Sequence, residues 1–118
     1  MIRLKILNTA NYEIKKSKFY AYFYEVEKKE EISIILTNLR KEHKKARHIP
    51  YAYFVNGISG KSDDKEPSNT AGTPIYTLLE KKELKSHAIF VVRYFGGIKL
   101  GAGGLFRSYL TAAKNVIE

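Results

Sequence analysis

The chain of 118 residues contains no cysteine and only three histidines. The missing cysteine excludes disulfide frameworks, thiolate zinc sites and cysteine nucleophiles together. No apolar run approaches the length of a membrane span, and the N-terminus lacks the apolar core of a signal peptide. A cytoplasmic protein with no membrane partner is the expectation. Acidic residues are scarce: 12 Asp and Glu stand against 21 Lys and Arg, a net charge of +9. Such a surplus favours nucleic acid or another anionic surface, although dispersed lysines also serve solubility. The hydrophobic fraction of 44% excludes a disordered tail. The length fits one domain over residues 1–118 with a single core.

Glycine is concentrated in one place. Five of the eight glycines, Gly96, Gly97, Gly101, Gly103 and Gly104, lie between the apolar run Ala88–Val92 and a helix-like run Leu105–Ile117. Glycine serves where the backbone takes positive φ or where another group approaches it closely. Backbone N–H groups at a helix start also attract anions, and Lys99 and Arg107 flank this start. The spacing is not that of a P-loop, because Ala102 and Gly103 replace its lysine and hydroxyl residue. Nor is it a dinucleotide fingerprint, since Phe106 replaces the last glycine. Anion binding and a tight strand-to-helix connection both stay open.

Periodicity gives an α+β pattern. Strands are expected at Ile2–Leu7, Lys18–Val26, Tyr51–Asn56 and His87–Phe95, with a turn at Asn8–Asn11 and a polar loop from Ile58 to Gly72. Helices are expected at Glu30–Lys45, Pro74–Leu84 and Leu105–Ile117, with Thr73 capping the second. Ile32, Ile35, Leu36 and Leu39 stripe the first helix; Phe106, Tyr109, Leu110, Ala113 and Ile117 stripe the last. The expected fold is a two-layer sandwich, a mixed sheet of about four strands with helices on one face. The bare face would then carry Tyr20, Tyr22 and Tyr24, which could stack unpaired bases or meet another protein surface.

The segment from Ser62 to Pro74 gathers Ser62, Asp63, Asp64, Glu66, Pro67, Thr70, Ala71, Gly72 and Pro74. Its carboxylates could hold a hard cation or act as an acid/base pair, but they also suit Asx turns and helix capping. No histidine or nucleophile–base pair accompanies them, so the structural role is favoured. Lys65 places a cation among the three carboxylates, and no tightly bound metal or other cofactor is expected.

These two segments together resemble the Impact/YigZ family. The resemblance lies in Ser62-Asp63-Asp64-x-Glu66-Pro67-Ser68-x-Thr70-Ala71-Gly72-x-Pro74 and in Val91-Val92-Arg93-Tyr94-Phe95-Gly96-Gly97-Ile98-Lys99-Leu100-Gly101 through Tyr109. Ser17-Lys18-Phe19 and Ala46-x-His48 with Tyr51-Ala52-Tyr53 extend it upstream, so it covers nearly the whole chain. It implies the fold of elongation factor G domain four and of the ribosomal-protein and galactokinase-class superfamily, with a left-handed βαβ crossover. A ferredoxin-like domain usually follows in the family and is absent from residues 1–118. Glycine usually stands where this chain has Lys65 and Asn69, so positive φ at either would strain the backbone.

The resemblance implies translational control in eukaryotic relatives, exerted on a kinase activator, and nucleic-acid binding is the usual proposal for bacterial ones. The favoured function is therefore a non-enzymatic module acting on RNA, ribosomes or a translation-control protein. The alternative is an enzyme that handles a phosphorylated small molecule through the glycine-rich turn. No catalytic residue is assigned. Lys99 and Arg107 are the expected phosphate contacts, with Arg93 and His48 nearby and the five glycines shaping the turn.

Overall fold

Asn56 and Gly57 both take positive φ, +50° and +74°. Two such residues in succession make the tight turn whose twist suits a hairpin. The chain therefore doubles back after β3 (Tyr51–Val55) into β4 (Ile58–Ser62), pairing Val55 with Ile58 and Tyr51 with Ser62. The expected polar loop thus begins as a fifth strand. Ile-Ser-Gly-Lys-Ser lacks apolar alternation because β4 is an exposed edge. A second tight turn, Lys15 and Lys16 at φ +47° and +67°, joins β1 (Lys5–Ile14) to β2 (Ser17–Glu25). The turn expected at Asn8–Asn11 is instead the middle of β1, whose register shifts between Ile6 and Asn8. A computed structural model describes residues 3–118, so Ile2 of the expected first strand lies outside the described residues.

The sheet order is β1-β2-β5-β3-β4, with β5 (His87–Tyr94) at the centre. Every neighbouring pair is antiparallel, so the sheet is not mixed. Strand β5 alternates its side chains between two cores. Ile89 and Val91 join Phe19, Ala21 and Ala52 beneath α2 (Gly72–Lys81) and α3 (Gly101–Ile117). Ala88, Phe90 and Val92 join Tyr24, Tyr53 and Val55 beneath α1 (Glu30–Glu42). Helices therefore cover both faces, not one. A central strand as apolar as His-Ala-Ile-Phe-Val-Val requires this, because both of its faces need cover.

The two crossovers differ in hand. Strands β2 and β3 are both antiparallel to β5, hence parallel to each other, and α1 joins them over one face. Strands β4 and β5 are likewise parallel across β3, and α2 joins them over the other face. A half-turn about the sheet normal superposes the two strand paths but leaves their helices on opposite faces. One connection is therefore left-handed, the rare sense for such units.

Helix α1 buries Ile32, Ile35 and Leu39 as its stripe requires. Helix α2 buries Ile75, Leu78 and Leu79. Helix α3 starts four residues earlier than the apolar period suggests, and its buried stripe is Leu105, Ser108, Tyr109, Ala112, Ala113 and Val116. Phe106, expected inside, is 37% exposed. Helices α2 and α3 begin at Gly72 and Gly101, ahead of the expected starts, and α1 and α2 end at Glu42 and Lys81, three residues short of the expected ends.

Candidate functional site

An arginine in the most apolar strand needs a partner, because an unpaired buried charge is costly. Arg93 follows Val91 on the face beneath α3 and is 5% exposed. Its Nη1 donates to Glu66 Oε2 at 2.7 Å, and its Nη2 donates to Ser17 Oγ at 3.3 Å. The hydroxyl of Tyr109, from the third turn of α3, donates to the same Glu66 oxygen. Burial and the Glu66 charge push the Tyr109 phenol well above its ordinary pKa of 10. The Tyr109 ring meets Phe19 edge-on at 5.1 Å, and the Arg93 guanidinium lies 5.7 Å from the Phe19 centroid. Strands β2 and β5, the acidic loop and α3 are thus tied at one buried point.

His48 closes the cluster from outside. Residues 47–48 pair with the end of β5: Arg93 N donates to His48 O, and Arg47 N donates to Arg93 O. His48 Nδ1 donates to the Asp64 carbonyl at 2.8 Å, which fixes the tautomer. Its Nε2 then faces Glu66 Oε1 at 3.6 Å.

The acidic loop is an ordered framework. Asp63 Oδ1 accepts from Gly72 N at 2.8 Å and Ala71 N at 3.1 Å, and Oδ2 accepts from Asn69 N at 2.9 Å. Asp63 therefore caps α2, a role the sequence pattern gave to Thr73; Thr73 Oγ1 instead donates to Asn69 Oδ1. Asp64 Oδ2 accepts from Ile49 N at 2.6 Å, and Oδ1 accepts from Arg40 Nη2 at 3.2 Å. Ser62 Oγ accepts from Asp64 N, and Thr70 Oγ1 donates to Pro67 O at 2.6 Å. Ala71 and Pro74 are buried, and Gly72 is in the sheet's shadow: a Cβ there would lie 2.8 Å from the Ser62 carbonyl oxygen. The three carboxylates thus serve three different sets of donors. Asp64, Lys65 and Asn69 take φ of +43°, +70° and +64°.

The glycines divide by task. A Cβ on Gly96 would fall 2.0 Å from the Lys16 carbonyl carbon, so this glycine admits the β1–β2 turn. Gly97 and Gly101 need glycine for conformation, at φ +88° and +73°. Gly103 and Gly104 lie inside the first turn of α3. Among the described residues no side chain caps that helix start, and no acidic residue occupies its first turn.

Beside it lies a cavity of about 420 Å³, lined in part by Arg47, His48, Glu66, Arg93, Lys99 and Gly101. Lys99 and Arg47 are exposed, and among the described residues neither has a carboxylate within salt-bridge distance. Arg107 is also exposed and leans over Gly103 outside the cavity lining. Arg93 is turned inward to Glu66. Arg47, Phe95, Ser17 and Tyr109 were not singled out as site residues from sequence. The signal for Ser17 and Tyr109 was the lone arginine of an apolar strand; Arg47 and Phe95 carry no such signal.

This is an antiparallel α+β domain whose polar core ends at an open, basic helix start. The chain belongs to the Impact family: the model of the Impact N-terminal domain matches residues 15–117. It is 42% identical over 99 residues to the IMPACT family member YvyE of Bacillus subtilis, covering 81% of this chain and 46% of that protein. It is 37% identical over 102 residues to the IMPACT family member YigZ of Escherichia coli, covering 82% and 50%. The chain spans about half the length of these curated relatives. A crystal structure of a hypothetical protein superposes with a TM-score of 0.89 at 31% identity, covering 99% of this chain and 61% of that one. The structure of the two-domain translational regulator Yih1 shares the fold, with a TM-score of 0.55 at 20% identity over 97% of this chain and 45% of that one.

Proposed function

We propose that this domain is a non-enzymatic, translation-associated module that binds RNA through phosphate contacts at the start of α3. The family and the translational regulator that shares its fold support the translation setting. The observation that carries the RNA reading is the cavity beside Gly101, where Arg47 and Lys99 stand without ion-pair partners among the described residues. Glu66, the carboxylate at this cavity, is already matched by Arg93 and Tyr109 and does not cancel them. The open N–H groups of α3 add positive potential at the same place. Gly97, Gly101 and Gly103 leave the backbone open to a phosphate, Gly96 and Gly104 being taken up by the β1–β2 turn and by Leu100, and Arg107 extends the basic rim. Arg93 and His48 position the wall rather than touch the polymer. The alternative, an enzyme acting on a phosphorylated small molecule, draws no support from a carboxylate so fully engaged.

The test is RNA affinity measured across a salt series for the wild type and for Arg47→Ala/Lys99→Ala. Each lost phosphate contact should reduce the salt slope by about 1, so the double variant should lose about 2. Unchanged affinity and slope would count against the reading.

A further inference from the structure

We infer that the polymer held at this site is single-stranded, and that its bases stack in a second cavity on the far side of Phe95; the inference rests on the RNA reading above. The second cavity, about 460 Å³, is lined by Lys16, Lys18, Tyr20, His43, Tyr94 and Phe95. Phe95 lines both cavities, so the two adjoin just beyond the end of β5. Phe95 is 38% exposed, and its ring centroid lies 5.4 Å from the Arg47 guanidinium and 5.6 Å from that of Arg93, which joins an aromatic ring to a phosphate-type cation. Helix α1 leaves this end of its face uncovered, so Tyr20 and Tyr94 are only half-buried.

The aromatic wall is held rigid. His43 Nδ1 and the Tyr94 hydroxyl are 2.6 Å apart, and His43 Nε2 and the Tyr22 hydroxyl are 2.7 Å apart. The Tyr20 ring stacks on His43 at 5.9 Å and meets Tyr94 edge-on at 5.7 Å. A fixed aromatic platform loses little freedom when a base settles on it. Lys16 and Lys18 are exposed at its mouth, and among the described residues neither has a carboxylate within salt-bridge distance. Glu13 is paired opposite Lys18 on β1, and Glu42 lies 3.8 Å from His43, so both are acidic neighbours of the cavity. Cations beside one exposed and two half-buried rings match a single strand, whose unpaired bases can turn outward. A duplex hides its base faces and would meet only the cations.

The test is fluorescence anisotropy with a labelled oligouridylate of about twelve nucleotides, within known single-strand site sizes, against a labelled RNA duplex. The wild type should prefer the single strand. Phe95→Leu, which keeps apolar bulk and removes the π face, should weaken single-strand binding about fivefold or more and duplex binding by clearly less, the part that comes from loosening Arg47. The chain has no tryptophan and nine tyrosines, so stacking should also quench its tyrosine emission on binding. Lys16→Gln/Lys18→Gln keeps the wall intact and should lower single-strand affinity if Phe95→Leu misfolds. Equal affinity for both polymers, or an equal loss of both in Phe95→Leu, would overturn the stacking inference and leave the phosphate site standing. Failure to bind either polymer, with capture of polyglutamate instead, would overturn both and favour an acidic protein partner.

Discussion

Glu66 and Arg93, twenty-seven residues apart, form a buried ion pair at 2.7 Å that locks the acidic loop to the central strand. Their side chains are 3% and 6% exposed. Tyr109 donates to the same Glu66 oxygen and Ser17 accepts from the second Arg93 nitrogen, while Arg93 Nε stays without a hydrogen-bond partner among the described residues; the cluster is a joint between four segments. Arg93→Ala leaves Glu66 buried with one hydroxyl donor, and should cost about 3–5 kcal/mol. Tyr109→Phe keeps the ring and removes one donor to a charge, and should cost about 1.5–3 kcal/mol. Chemical denaturation of the two variants checks the order. Equal stability of Arg93→Ala and wild type would contradict a structural joint.

Lys65 takes φ +70° without a side-chain reason for it. The left-handed conformation costs a non-glycine residue about 1–2 kcal/mol, and glycine gives back about 0.4–1 kcal/mol in unfolded-chain entropy. Lys65→Gly should therefore stabilise the domain by about 0.5–1 kcal/mol, read from the thermal midpoint. A lowered midpoint would show that the loop relies on the lysine.

Asp63 accepts three backbone N–H groups ahead of α2. Asp63→Ala strands them and should cost about 2 kcal/mol, a strong capping loss. Thr73→Ala should cost much less, because Thr73 bonds only to Asn69. Amide exchange at Ala71 and Gly72 should rise in Asp63→Ala alone. A greater loss in Thr73→Ala would restore the cap to Thr73.

Much of this was legible in the sequence, and its limits are physical. The stripes of α1 and α2 and the apolar run of β5 each state their burial, and the structure keeps them. The paired loop and glycine motifs carried the family, which the comparisons support. Strand β4 was hidden because Ile58–Ser62 is an edge with few apolar residues, although Asn56-Gly57 announced its hairpin. The β1–β2 turn was hidden because it is built from Lys15 and Lys16, residues without turn preference. The early start of α3 was hidden by glycines that usually end helices. The covering of both faces follows from β5, whose two apolar faces each need helices over them. The site cluster joins residues 17, 48, 66, 93 and 109, and only the fold brings them together.

Buried tyrosines set the alkaline limit. Burial first, and nearby charge second, raises the Tyr22 and Tyr24 phenols from 10 to about 12. Their folded pKa values exceed the unfolded ones, so their contribution is complete below pH 10 and is lost as pH rises through about 12. Stability should fall across that window while the phenolate absorbance of these two tyrosines lags behind that of exposed ones. Uniform titration of all tyrosines near pH 10 in the folded protein would contradict this.

The most direct measurement is amide chemical-shift mapping of the full chain with a single-stranded RNA oligonucleotide. Shifts should concentrate at Arg47 and His48 and at Phe95 through Ala102, and should fade as salt is raised. Shifts confined to the β1 edge or to the outer surfaces of α1 and α2, or no shifts at all, would contradict an RNA site at the start of α3.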